Sequence, residues 1–241
     1  MWRKLPISSL TPFTFQDFPD HTACIVWFFG CNMRCGYCHN PELVVGRAKR
    51  IDADHLERFL KARRGLLEGV VLSGGECTLS PGLPAFAADL KALGYKVKID
   101  SNGTRPKVLR RLVENGLVDF IALDFKAPPT KFVAVSGAKA FDDFWESLQI
   151  LALAGVGKEV RTTVHGDQLD RADLEDMLGL LRQAGYAGAY VLQNFRGGSG
   201  ERTLGNLPAP TRQPDVAGLD AGPGIEIAFR NFRAAPAPVK P

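Results

Sequence analysis

From residue 22 onward the chain alternates strand-length apolar runs with stretches whose apolar residues recur at helical spacing, and few folds accommodate that alternation. Thr22 to Phe29 is an almost unbroken apolar run of the kind buried on both faces of a parallel sheet. Further strands are expected at 69–73, 96–100, 118–124, 158–164 and 189–193. Between them lie helical stripes: Leu56, Phe59 and Leu60 behind an Asp52 or Asp54 cap; Leu83, Phe86, Ala87, Leu90 and Leu93 closed by Gly94; and a stretch from Pro106 through Leu112 to Gly116. Phe141, Phe144, Trp145, Leu148 and Leu151 form the next stripe, and Leu174, Met177, Leu178 and Leu181 follow an Asp170 cap. The expectation is an α/β fold: a partial (β/α)6 TIM-like barrel of parallel strands with helices outside. Residues 1–21 read as an N-terminal arm or hairpin, 22–196 as the barrel, and 197–241 as loop, a short strand at 225–229 and an irregular, flexible tail.

Strand parity says what the inside of such a barrel must contain. Lys96, Lys98, Asp100 and Asn102 share one face of the third strand; Phe120, Ala122, Asp124 and Lys126 share one of the fourth; Glu159, Arg161, Thr163 and His165 share one of the fifth. A closed eight-stranded barrel fills its interior with branched apolar side chains. Charges on one face of several central strands point instead to an open barrel with a polar lumen that receives something charged. Lys98 and Arg161 read equally as ligand contacts and as a structural salt bridge.

Directly after the first long strand come Cys31, Cys35 and Cys38, with three residues in the first gap and two in the second. Thiolates so spaced can each hold a different iron of a four-iron four-sulfur cube, leaving the fourth iron open to a reactant. A structural zinc would need a fourth ligand, for which His39, Cys24 and Cys77 are the candidates, and zinc ribbons bring two CxxC pairs. A disulfide framework does not suit 241 residues with five cysteines, and that usage fits a reducing, cytoplasmic setting. Nothing at residues 1–10 reads as a signal peptide, and no apolar run reaches membrane-spanning length. A net charge of +4, spread over apparent helices and loops, reads as solvated faces, so neither nucleic acid nor membrane is expected as a partner.

Past the cysteine loop, Ser73-Gly74-Gly75-Glu76, Asp100-Ser101-Asn102-Gly103 and Asp124-Phe125-Lys126 fall at strand ends, where βα barrels gather their active sites. In this order, and with Tyr37 just before the last cysteine, the chain resembles the radical S-adenosylmethionine (SAM) enzymes. Phe15-Gln16-Asp17-Phe18-Pro19, the run from Gly30 to Pro41 and Leu123 to Pro128 narrow the resemblance to the glycyl radical enzyme activases, especially those of anaerobic ribonucleotide reductase. The resemblance covers roughly residues 7–196, about the size of one domain. It implies that Cys31, Cys35 and Cys38 hold a [4Fe-4S] cluster whose open iron binds the amino and carboxylate groups of SAM. Gly74, Gly75 and Glu76 would line the methionine end, Glu76 taking the ammonium, and Tyr37 would lie by the adenine. Asp100, Asn102 and Asp124 would stand near the cosubstrate, the two acids helping to form a monovalent cation site and Lys126 contacting the SAM carboxylate. One electron from a flavodoxin- or ferredoxin-type donor would then cleave SAM to methionine and a 5'-deoxyadenosyl radical. That radical would make a glycyl radical on a partner enzyme, expected to be the anaerobic ribonucleoside-triphosphate reductase.

Some positions depart from that pattern. Cys77 follows the GGE segment as either small filler or a redox group, and Gln193-Asn194-Phe195-Arg196 stands where some activases place a histidine. His39 is a donor to the cluster or a turn residue. The arm at residues 8–20 is the expected partner-docking face. Competing functions are a small-molecule radical SAM enzyme such as a 7-carboxy-7-deazaguanine synthase, and an iron-sulfur module that only transfers electrons.

Overall fold

A computed structural model describes residues 4–197 and 203–232. One eight-stranded sheet organises it: β1 (Ile7–Thr14), β2 (Ala23–Phe28), β3 (Gly69–Gly74), β4 (Lys96–Ser101), β5 (Phe120–Asp124), β6 (Gly157–Val164), β7 (Gly188–Asn194) and β8 (Ile225–Arg230). The strands lie side by side in chain order. β1 runs antiparallel to β2, and every later pairing is parallel. Among the described residues β1 and β8 do not pair, so the sheet is an open barrel with two edges. Crossover segments carry α1 (Pro41–Val44), α2 (Ala53–Ala62), α3 (Leu83–Ala92), α4 (Pro106–Glu114), α5 (Pro129–Ser136), α6 (Phe141–Leu153) and α7 (Arg171–Gln183). Parallel neighbours need such long crossovers, which cover the outer face of the sheet.

The sequence expectation of six strands holds for β2 to β7, and two further strands flank them. The arm supplies β1, which after the buried Ile7 is half-buried or exposed throughout, as suits an edge. The short strand expected at 225–229 appears as β8 beside β7. Side chains cap the starts of α2 and α7: the Asp52 carboxylate accepts from Asp54 N at 3.0 Å, and Asp170 and Asp173 form a reciprocal capping box. Two short helices, α1 and α5, were not expected from apolar spacing. The segment 198–202 and the tail at 234–241, expected as loop and flexible tail, lie outside the described residues. Among those residues no helix is long and apolar enough to cross a membrane.

Two cores lie on opposite faces of the sheet. The larger packs strand residues such as Val26, Leu72, Ile99 and Leu123 under the helices. The smaller fills the lumen at the N-terminal ends of the parallel strands, where Ala23, Ile25 and Val71 surround Phe18, which is 2% exposed. A Cβ on Gly69 would come within 2.6 Å of the Phe18 ring, so glycine is required there to seat the plug. Phe18→Leu keeps most of this volume and should cost about 1 kcal/mol. In a chain of this size that is a drop of roughly 2–4 °C in melting temperature by calorimetry.

The same end of the barrel carries the exposed pair Phe13 and Phe15, with ring centroids 4.5 Å apart. Because Thr14 pairs with Ala23 at the start of β2, the tip of the arm lies at the end of the sheet remote from the cysteine loop. The start of the arm lies at the other end, where Ile7 pairs with Phe28 just before the cysteine loop, so the expected docking segment spans the length of the sheet.

Candidate active site

At the C-terminal ends of β2 to β7 the lumen opens into a cavity of about 290 Å³. Its wall includes Cys31, Cys35, Cys38, Tyr37, Gly74, Gly75, Glu76, Asp100, Asn102, Asp124 and Lys126. All the residues expected to act at the site thus border one space, although they come from four different strand ends.

The cysteine loop is shaped by backbone contacts. Cys38 N donates to Cys35 O at 3.0 Å, and Arg34 N donates to Ser136 O at 2.7 Å, tying the loop to the end of α5. The Arg34 guanidinium also gathers the loop's own carbonyls, donating to Cys31 O at 2.7 Å and Met33 O at 2.8 Å. Asn102 and Asn32 join β4 to the loop, with Asn102 Nδ2 donating to Asn32 Oδ1 at 3.0 Å and Asn32 Nδ2 to Thr104 Oγ1 at 2.8 Å. No signal in the sequence singled out Asn32 or Thr104.

The two glycines after β3 have a cause beyond the approach to a ligand that sequence reading suggested. A Cβ on Gly74, whose φ is +126°, would lie 2.1 Å from Phe28 O, and one on Gly75 would lie 2.2 Å from Gly30 O. Their absent side chains let β3 press against the entry to the cysteine loop. Gly75 N donates to Phe28 O and Glu76 N to Gly30 O, locking that approach.

Glu76 is 3% exposed. Its Oε1 accepts from Thr78 N, Thr78 Oγ1 and Ser101 Oγ, and its Oε2 from Asn102 N at 2.6 Å. All of these donors are neutral. Burial pushes its pKa up despite the hydrogen bonds. A carboxylate so placed at a cavity wall suits a cationic ligand group.

Below it lies a layer of alternating charge. Lys98 Nζ sits 2.5 Å from Asp100 Oδ1, and Arg161 reaches Asp100 Oδ1 with Nη1 at 3.4 Å and Asp124 Oδ1 with Nε at 2.8 Å. Lys126 Nζ meets Asp124 Oδ2 at 3.1 Å, and Arg230 from β8 meets Glu159 Oε2 at 2.9 Å. Burial would raise the carboxyl pKa values, but Arg161 and Lys98 hold Asp100 below its usual range, and Arg161 and Lys126 hold Asp124 at about 2. Burial lowers the pKa of Lys126, yet Asp124 more than offsets it and keeps the ammonium charged. In this structure Arg161 bridges the two acids and Lys98 pairs with Asp100, so both make salt bridges, while Arg161 also borders the cavity. Thr163 and Gln193 complete the wall from β6 and β7. Cys77 is fully buried with its Sγ 3.6 Å from both Leu72 O and Asp100 O, consistent with the filler reading.

The donor set fits a cluster. Among the described residues no three His, Cys, Asp or Glu side chains converge closely enough to hold one ion, so the three thiols border the cavity as separate donors. Burial pushes the Cys31 thiol up to about 11 and that of Cys35 upward as well, a cost that bound iron offsets by replacing the proton. Met33 N points at Cys31 Sγ from 3.4 Å, a donor that favours thiolate. Tyr37 lines the same cavity, with its hydroxyl buried beside the Cys35 thiol.

A family profile described as the Radical SAM superfamily matches residues 25–181, well over half of the chain. The chain belongs to the radical SAM superfamily. It is an enzyme of this class, whose chemistry uses a [4Fe-4S] cluster and SAM. A Methanocaldococcus jannaschii protein assigned by name to the glycyl-radical enzyme activating enzymes is 28% identical over 201 residues, 80% of each chain. The pyruvate formate-lyase-activating enzyme of Clostridium pasteurianum is 29% identical over 52% of this chain and 56% of its own. Among solved structures, Streptococcus suis SuiB bound to S-adenosylmethionine superposes with a TM-score of 0.57 at 16% identity, over 71% of this chain. The chain spans 40% of SuiB, and that likeness speaks for the fold.

Proposed function

We propose that this radical SAM enzyme generates a glycyl radical on a partner protein, and that the partner is an anaerobic ribonucleoside-triphosphate reductase. The observation that carries the first part is the likeness, over 80% of both chains, to a protein named for glycyl radical activation. Support for the reductase is the run of motifs from Phe15 to Pro128 read above. A cytoplasmic setting and a flavodoxin- or ferredoxin-type donor belong to the same reading, supported by five cysteines that are all free.

Each residue's part is the one the resemblance implies, and its surroundings support it. Cys31, Cys35 and Cys38 would hold the cluster by three irons and leave the fourth to SAM. The chemistry supplied by the bound pair is one-electron cleavage of the sulfonium followed by hydrogen abstraction. Glu76, with only neutral partners, accepts the ammonium of SAM. Lys126 takes the carboxylate; Asp124 holds its Nζ, and its ammonium stands 5.9 Å from the Tyr37 ring centroid. The charged layer beneath keeps these groups from swinging, and the wall from β2 to β7 limits water around the reacting atoms.

Anoxic, reconstituted protein mixed with SAM, a reductant and the reductase should give the doublet of a glycyl radical by electron paramagnetic resonance. SAM cleavage without a glycyl signal on the reductase, but with one on a formate-lyase-type partner, removes the reductase alone. Cleavage with a signal on neither removes the activase reading.

A further inference from the structure

The segment after β7 returns across the outside of the cysteine loop. Leu204 N donates to Cys38 O at 2.9 Å and Gly205 N to Gly36 O at 2.8 Å, so the two backbones run bonded over residues 36–38, the stretch that begins beside Cys35 and ends on Cys38. Leu207 then covers Gly36, its side-chain carbons 3.4 Å from where a Cβ there would stand. Thr203, only 3% exposed, closes the turn through Leu207 N to its Oγ1 at 3.0 Å.

The far end of this segment is fastened beyond β6. Asp167 accepts from Thr211 N and Thr211 Oγ1, both at 2.8 Å, and from Arg212 N at 3.1 Å. His165, two residues earlier, meets Pro208 O through Nε2 at 3.1 Å. Gly166 between them lies so close that a Cβ would stand 1.9 Å from Arg212 O. The Asp167 carboxyl, held down to about 2 chiefly by the Thr211 N–H, stays an acceptor across the working pH range. Neither Asp167 nor residues 203–212 border the cavity.

We propose that residues 203–212 are a clasp that holds the Cys31–Cys38 loop in its ligating shape, with Asp167 as a positioning residue that latches it from outside the site. The inference rests on the cluster of the superfamily and is independent of which partner is activated. A ligand loop fixed only by its own turns would lose its donors one at a time, whereas a bonded backing strand makes their release a concerted opening.

Two substitutions test it from different ends. Asp167→Ala removes the latch, and Gly205→Ala places a Cβ 2.8 Å from the Gly36 Cα, wedging clasp from loop. Anoxic, cluster-loaded full-length protein is challenged with an iron chelator and iodoacetamide together, following visible absorbance and mapping alkylated cysteines by mass spectrometry. Both variants are expected to bleach and to alkylate Cys31, Cys35 and Cys38 about tenfold faster, the scale of losing one or two such bonds. Cys24 and Cys77, fully buried in the core, should stay unmodified over that period. Unchanged loop kinetics in either variant would overturn the proposal. So would parallel exposure of Cys24 and Cys77 in both, which would mark general loosening and not a clasp.

Discussion

Cys35→Ala should give a folded protein that binds no intact cluster and cleaves no SAM. Cys35 lies in the middle of the proposed ligand set and is 7% exposed. The loop's backbone bonds, by contrast, do not depend on that sulfur, so the fold should lose about 1 kcal/mol or less. Iron and sulfide analysis after anoxic reconstitution, with chromatography of SAM products, reads the outcome. Cys77→Ala is the control: it removes a thiol of the same type from the neighbouring turn, and it should load normally. Full iron content and cleavage in Cys35→Ala would show that the assigned ligand set is wrong, as would a single tightly bound zinc in the wild type.

The second large effect is expected at Arg161. Its guanidinium bridges Asp100 and Asp124, and its side chain is 14% exposed. Arg161→Leu leaves two carboxylates with part of their compensation gone, in a place where water reaches poorly. Breaking a buried pair in this way typically costs about 3–5 kcal/mol. Arg161→Lys should recover only part, because an ammonium cannot fork to both acids. Urea unfolding measures the loss, and its pH dependence identifies the cause. The folded pKa of Asp124 is depressed to about 2, so its contribution is fully present above the unfolded value of about 3.9 and fades as pH falls through the folded one. The gap between wild type and Arg161→Leu should therefore be widest above about pH 4 and narrow towards pH 2. A gap independent of pH would mean that Arg161 acts by packing alone. SAM cleavage should fall as well, because Asp124, which aims Lys126, would lose its second anchor.

Much of this was legible in the chain because the signals were periodic or crowded. Buried parallel strands write themselves as apolar runs, and parity correctly put Asp100, Asp124, Lys126, Arg161 and Thr163 inside the lumen. The cysteine spacing and the strand-end motifs carried the site. What was hidden depended on distance along the chain. Nothing at Gly74 or Gly75 shows that their Cβ atoms would strike Phe28 and Gly30, because that contact exists only once β2 and β3 pair. β1 contains Pro12 among aromatics and reads as an arm; its strand character comes from pairing with β2. Helices α1 and α5 span 4 and 8 residues, too short for an apolar stripe to emerge. The clasp is hardest of all to foresee: a stretch rich in proline and glycine reads as loop, and its bonds to Gly36 and Cys38 cross more than 160 positions.

The placement of the remaining thiols has a practical side. Cys24 and Cys77 are sealed from solvent, and burial drives the Cys24 thiol up to about 12 and that of Cys77 upward too, so neither offers a reactive sulfur. Thiol oxidation by air is thereby directed to Cys31, Cys35 and Cys38 around the cavity, and its first products a mild thiol can reverse. A specimen ruined by oxygen would still contain a sound scaffold, and repair would amount to reduction followed by reassembly of the inorganic core.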